Sequence, residues 1–484
     1  MAQGSWSGGR GRACVIGAGP NGLAAAIVLA QAGMEVEVFE AEAEVGGAAR
    51  TMELTLPGFR HDFGSAVHPM AVGSPFLTSL PLRDYGLEWI YSPAAVAHPF
   101  DDGTAIALEQ DLARTEEALG EDGRAWRGLM EPLAGRWTEF AGEILRPAIA
   151  WPRHPLLMAG FGLKGLQGAS GFARRRFKGE RARALFGGMA AHSFLALDEW
   201  LSASFGIVLG ATVHAVGWPI PRGGAQAISD AMAGYLRHLG GRITTGARVR
   251  SLSELPACEV TMCDVSPRQL VAMAGEGDGG RLTEGYRKQL AGYKYGPGAF
   301  KVDFALSQPI PWNAPECLRA ATVHVGGTLK EIEASEAAMA SGRTAARPFV
   351  LVAQPTLFDP TRAPEGKHIA WAYCHVPNGA TEDMLERIEA QIERFAKGFR
   401  ECVLARRVST PAELEAMDAN LVGGDVGGGA VGGTQLFLRP TWRQYRTTAK
   451  GVYLCSASTP PGGGVHGMCG ANAAEMAVRD LGKA

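Results

Sequence analysis

The chain has no Cys-x-x-Cys pair: its eight cysteines stand apart at Cys14, Cys258, Cys263, Cys317, Cys374, Cys402, Cys455 and Cys469. Without that spacing or a repeated Cys/His pattern, a zinc module and a disulfide framework are both excluded, so no metal is expected and the thiols read as reduced ones in a cytosolic protein. There is no uncharged apolar run of about 18 residues to cross a bilayer. Met1 to Arg12 is a short Gly/Ser/Arg stretch without the apolar centre of a secretory signal. The expectation is a chain neither exported nor membrane-spanning. One-sided charge is missing too: 47 Lys and Arg stand against 49 Asp and Glu, a formal net charge of −2. No global field favours nucleic acid, and partners must be read from sites. What is plentiful is glycine, 65 of 484 residues. It has no Gly-X-Y period, and 46% of the chain is hydrophobic, which excludes collagen and disorder. The length allows about three domain equivalents, or two large interwoven ones.

The first informative stretch runs from Arg12 through Ile16 into Gly17, Ala18, Gly19, Pro20, Asn21 and Gly22, then Leu23 to Ala32, Gly33, and Glu35 to Glu40. An apolar strand meets a glycine turn, a helix ends at Gly33, and an alternating strand ends on an acid, which is a βαβ unit. Gly17 permits the tight turn, Gly19 lets the backbone approach a pyrophosphate, and Gly22 allows close helix packing. The helix N-terminus supplies unpaired N–H groups and a positive dipole. Glu40, with Ala41 after it, is placed to accept from ribose hydroxyls. Strand, turn, helix, strand and terminal acid together make a far stronger signal than a bare G-x-G-x-x-G.

Beyond Glu40 come Gly46, Gly47, Ala48, Ala49 and Arg50, and then Asp62, Phe63, Gly64, Ser65 and His68. Here the sequence resembles the FAD-binding oxidoreductases that follow a dinucleotide βαβ with G-G-x-x-R, the group of amine oxidases and phytoene desaturases. The resemblance implies that Gly46, Gly47 and Ala48 lie against FAD with Arg50 near its phosphates or ribityl chain, and that Gly64 and Ser65 join them. A second segment opens a helix after Pro221-Arg-Gly223-Gly224 and continues through Gly240-Gly241 into Arg242 to Val249 as a strand. In the family the residue matching Val249 packs its backbone against the adenine; the alternative is a buried strand valine. Cys263 and Asp264 end the next strand, with no role assigned.

The C-terminal segment is an apolar strand from Gly451 to Cys455, then Ser456, a Pro/Gly loop, Val465, His466, Gly467, Met468, and a small-residue helix ending near Leu481. Helix N–H groups facing an open loop suit an anion. In the family this loop holds the electron-rich edge of the isoalloxazine, which implies contacts from Ser456 and from Val465 to Met468. The run Ser458 to Gly467 is most similar to the phytoene-desaturase-like branch that includes pyridine-nucleotide-disulphide-oxidoreductase-domain type 2 proteins. The implied fold is α/β: a Rossmann-like, glutathione-reductase-like FAD domain over 11–70, 220–290 and 441–484, interleaved with an α+β substrate domain on a mixed sheet over 71–219 and 291–440.

Within the intervening stretches, Phe349 to Ala353, Ile369 to His375 and Ala299 to Leu306 read as strands. Thr381 to Arg406 reads as one amphipathic scaffold helix. Lys301 resembles the lysine that amine oxidases hold over the flavin; the alternative is a side chain facing solvent on the other face of its strand. The glycine run from Val422 to Gly433 lacks the Gly-Lys-Ser/Thr ending of a phosphate loop and reads as a flexible loop beside substrate or flavin. With no second glycine fingerprint, a dedicated NAD(P) domain is not expected, and the electron acceptor is oxygen or a quinone. Among the histidines, His466 alone joins Lys301 as a catalytic candidate. The segment Ile149 to Phe172, followed by Arg174 to Lys178, reads as a packed lid or oligomer contact, with a peripheral membrane contact as the alternative. The expected activity is hydride movement between a substrate carbon and flavin N5, making or removing a C–C double bond in an apolar, polyene-like substrate. The rivals are an amine or amino-acid oxidase, and a non-enzymatic escort or carrier on the same fold.

Overall fold

The computed structural model describes residues 11–275 and 282–482. Two sheets organise them. The first has five strands in the order Val452–Leu454, Val260–Cys263, Arg12–Ile16, Glu35–Phe39 and Arg242–Thr244, all parallel. A parallel sheet must be covered on both faces, and the strand Arg12–Ile16 is correspondingly apolar and almost wholly buried. On one side lies the helix Pro20–Gln31, packed between the helices Gln226–His238 and Met468–Leu481. Its alanines, its one glycine and Gly470 of the terminal helix make that closeness possible: a side chain on Gly22 would run into the carbonyl of Gly17, and one on Gly470 into the carbonyl of Asn21.

The second sheet has seven strands, in the order Val403–Ser409, Gly298–Leu306, His368–Val376, Val350–Ala353, Ala320–Val325, Ala94–Pro99 and Ala105–Leu108. Only Ala320–Val325 and Ala94–Pro99 pair in parallel, so this sheet is mixed. One of its faces carries Phe300, Val302 and Phe304 onto Ile388, Ile392 and Phe395 of the helix Leu385–Phe395. The other face is cross-strand ladders of mixed character. Lys301 stands beside Tyr373, Tyr373 beside Leu351, and Leu351 beside His324. A helical layer that includes Glu180–Ala191 and Ser202–Val216 builds a separate apolar core around Trp126, Phe140 and Phe186.

Two expectations are corrected. The amphipathic pattern from Thr381 to Arg406 is not one helix: it is helical over Leu385–Phe395, Gly398, at φ 88°, turns the chain into a single further turn over Phe399–Cys402, and Val403–Ser409 is the edge strand beside Gly298–Leu306. Three-residue and two-residue periodicities overlap at that junction, and the left-handed glycine decides it. The strand expected from Arg242 to Val249 stops at Thr244. The backbone of Ala247 is drawn away to donate to the carbonyl of Glu40 at 2.7 Å, so Val249 is buried outside any strand.

Candidate active site

A cavity of about 840 Å³ lies between the two sheets. At one end it is walled by backbone. Gly17, at φ 95°, turns the chain out of its strand with its N–H donating to the carbonyl of Phe39 at 2.8 Å. Pro20, at the first helical position, leaves the start of its helix open toward the cavity. Glu40 is buried, and its carboxylate accepts from the N–H of Ala18 at 2.6 Å and of Glu42 at 2.9 Å. Two oxygens offer about four acceptor positions, so the carboxylate keeps capacity for hydroxyl donors. Arg50 donates from Nε to the carbonyl of Gly47 at 2.8 Å and from Nη2 to that of Met417 at 2.8 Å, tying the paired-glycine loop to a distant segment.

Of the residues singled out from sequence, Gly17, Gly19, Pro20, Asn21, Glu40, Ala41, Gly47, Ala48, Arg50, Gly64, Ser65, Val249, Lys301, Ser456, Val465 and His466 line this one cavity. Ala18, Gly22, Gly46, Gly467 and Met468 do not; they support the wall from behind. Gly46 donates to the carbonyl of Ala18 at 2.9 Å, and Gly467 is the left-handed residue, φ 69°, from which the terminal helix starts.

The two catalytic candidates look different in three dimensions. Lys301 does not face solvent: it is 4% exposed and points with Asp303 toward the cavity side of the sheet. Its Nζ is held by both carboxylate oxygens of Asp303, at 2.6 and 2.5 Å, and lies 5.7 Å from the centre of the Trp371 ring. Residues two apart on a strand share a face, which makes this pairing possible. His466 lines the cavity but has a structural duty: its Nδ1 accepts the N–H of Met468 at 3.0 Å, capping the terminal helix. Burial holds the ring neutral, lowering its pKa to about 4. Nδ1 of His466 is thus engaged by the terminal helix, while the ring lines the cavity.

Several functional residues escaped the sequence reading. Asp264 accepts the N–H of Gly22 at 2.8 Å at the start of the first helix, and burial, with Asp418 and Glu40 nearby, pushes its pKa up to about 7. Arg439 is buried and gathers the carbonyls of Gly428 and Ala457, both at 2.9 Å, while Asp425 accepts the N–H of Gly296 and Gly427, both at 2.7 Å. The glycine run is therefore an anchored wall of the cavity rather than a loose loop. At the far end the walls are side chains, among them Met70, Leu145, His192, Leu209, Trp371 and Tyr373. The spacing of Trp371, Tyr373 and His375 by two was the available signal for that face.

Comparison with known proteins now bears on this geometry. Residues 15–75 match the family described as NAD(P)-binding Rossmann-like domain. Across nearly its whole length the chain is similar to the pyridine nucleotide-disulfide oxidoreductase domain-containing protein 2 of Mus musculus, at 28% identity over 97% of this chain and 93% of that one. It is also similar to the neurosporene-forming phytoene desaturase of Rhodobacter capsulatus, at 25% identity over 96% of this chain and 92% of the relative. These similarities match the superfamily of phytoene desaturases and amine oxidases that the cofactor segments resemble. Among solved structures of this superfamily, a redesigned putrescine oxidase shares the fold, with a TM-score of 0.61 at 16% identity over 98% of this chain and 99% of that one. No helix among the described residues is long and apolar enough to cross a membrane.

Proposed function

We propose that this oxidoreductase makes, removes or moves a C–C double bond in an apolar, polyene-like substrate. The observation that carries the reading is the cavity's far end: it is walled by apolar and aromatic side chains, while the acids Glu40, Glu42, Asp264, Asp418 and Asp425 stand with the glycine turns and loops, and Glu199 is exposed. Among the described residues that line that end none is a buried carboxylate, and Asp303, beside Lys301 on its strand, is engaged by that lysine. An extended hydrocarbon gains from burial in the same place, by about 25 cal/mol for each Å² removed from water.

The residues present fit FAD. The glycine turn, the open helix start and Glu40 suit a pyrophosphate and a ribose, and Gly47, Arg50, Gly64, Ser65, Val249, Ser456 and Val465 extend that wall. When bound, the flavin supplies the two-electron chemistry. The chain's own part is to hold the substrate against it and exclude water. The helix beginning at Met468 places its N–H groups behind Val465 and His466, where negative charge is favoured. Oxygen or a quinone serves as the electron acceptor in this reading.

The amine-oxidase reading keeps one observation in its favour, Lys301 in the cavity wall. Anaerobic mixing of the flavin-loaded protein with polyenes and with amines separates the two. Bleaching of the oxidised-flavin bands by a polyene is the expected result. Bleaching by amines alone would transfer the assignment to an oxidase. The exposed apolar segment with Trp151 at 85%, Leu156 at 87% and Leu163 at 77% is proposed as a contact surface beside the cavity, for a second copy of the chain or a membrane surface.

A further inference from the structure

Resting on the reading of the glycine-walled end as the FAD site, we infer that FAD binds this chain together with a proton, carried by the carboxyl group of Asp264. Asp264 follows the strand Val260–Cys263, is 7% exposed, and lines the cavity. Its Oδ2 accepts the N–H of Gly22 at 2.8 Å, inside the first turn of the helix Pro20–Gln31. Its Oδ1 has no hydrogen-bond partner among the described residues. The same Oδ2 lies 3.0 Å from where a β-carbon on Gly19 would stand, and Oδ2 of Asp418 lies 3.5 Å from where one on Gly47 would stand. Those two glycines are in contact, since the β-carbon on Gly47 would come within 3.3 Å of Cα of Gly19. Two carboxyl groups thus flank one pair of glycines. A third, on Glu40, is bonded to the N–H of Ala18, between Gly17 and Gly19.

A pyrophosphate held at these turns brings further negative charge to a place already lined with acids. The groups that face Asp264 do not offset it. Glu40 stands at the end of the second strand and Asp418 just beyond the helix Pro411–Met417, and both act on Asp264 as like charges. The thiols of Cys263, Cys455 and Cys469, on its own strand, beyond the last strand and in the terminal helix, are buried, and burial keeps them protonated. Arg50 acts on Asp418, and its guanidinium is committed to the carbonyls of Gly47 and Met417. Burial and the two acids push Asp264 up to about 7, and an arriving anion raises it further. A neutral carboxyl group beside a phosphate escapes the repulsion a carboxylate would meet, and it also donates a hydrogen bond. The hydrogen belongs on Oδ1, because Oδ2 is accepting from Gly22. The proton enters from solvent with FAD and returns to solvent when FAD leaves.

Dialysis of the flavin-loaded protein against graded FAD, between about pH 6 and pH 8.5, reads the dissociation constant without reference to turnover. The constant is expected to be level at the acid end and to rise by up to about tenfold for each pH unit above about 7, the slope of one linked proton. Calorimetric addition of FAD to the stripped protein, in two buffers of different ionisation enthalpy, counts that proton without any variant. About one proton is expected to be taken up per FAD at about pH 8. Asp264→Asn keeps an oxygen for Gly22 and carries permanent N–H donors beside it. Its affinity for FAD should lose the pH dependence, and at about pH 8.5 should exceed that of the wild type by about tenfold or more. Asp418→Asn should keep the proton but start the rise at lower pH, because a like charge has gone. A wild-type dissociation constant that stays level across the range overturns the inference and leaves FAD binding intact. So does a pH dependence that vanishes in Asp418→Asn and persists in Asp264→Asn. If flavin is neither retained nor taken up at any pH, the cofactor reading has failed and the inference falls with it.

Discussion

The two sheets face one cavity with different chemistry. The parallel sheet meets it with main chain: turns at Gly17 and Gly47 and the open start of a helix, with one anchored carboxylate, Glu40. The mixed sheet meets it with side chains set on separate strands, such as Lys301, Tyr373 and Leu351. Backbone groups recognise what is common to every dinucleotide, and they cannot be retuned without breaking the fold. A sheet face can be changed residue by residue, which suits the end of the cavity that selects a substrate. The contrast extends to charge. Acids crowd the first region, whereas buried histidines and the closed Lys301–Asp303 pair mark the second.

That closed pair gives the most forceful way to break the contrast. Lys301→Met leaves Asp303 buried without its partner, next to a His61 whose pKa burial lowers to about 3. The expected loss is about 3–5 kcal/mol in urea unfolding, and adding Asp303→Leu should recover most of it. Recovery of stability without recovery of flavin bleaching would separate a catalytic duty of Lys301 from its structural one. On the other sheet, Gly22→Val forces a side chain against the carbonyl of Gly17. A loss of about 1–3 kcal/mol is expected, together with loss of retained flavin.

How much of this was legible in the sequence follows the same division. The turn at Gly17 to Gly22 and the acid at Glu40 are contiguous, and each has a local reason for its residue type, so their place at the cavity could be read directly. Asp264 escaped because its role depends on Gly22, 242 residues away in sequence. The row from Lys301 to His324 crosses four strands, so no window of the chain contains it. The second duty of His466, holding the helix that follows it, has no signal in its cofactor-like segment.

The two regions should also respond to pH with opposite signs. Asp264 has a folded pKa of about 7, above its ordinary 3.8. The stability this contributes is present below the unfolded value and is lost as pH rises through about 7. His98 has a folded pKa of about 4, below its ordinary 6.5. Its contribution is present above 6.5 and is lost as pH falls toward 4. Thermal unfolding across this range, compared between wild type, Asp264→Asn and His98→Gln, should show difference slopes of opposite sign, each at most about 1.4 kcal/mol per pH unit. Slopes of the same sign would remove the electrostatic half of the comparison. The smallest effect belongs to a surface that serves neither sheet: Leu156→Glu with Leu163→Glu should change stability by less than about 0.5 kcal/mol per substitution. It should reduce self-association or vesicle binding, whichever sedimentation detects for the wild type.

The most direct test of the central claim is the visible absorption spectrum of the purified protein, taken before and after addition of FAD. The account predicts oxidised-flavin bands corresponding to one FAD per chain, bound at the backbone-walled end and lost in Gly22→Val. A wild-type protein that shows no flavin bands and takes up none from solution would contradict it, and would leave an escort or carrier on an oxidoreductase fold.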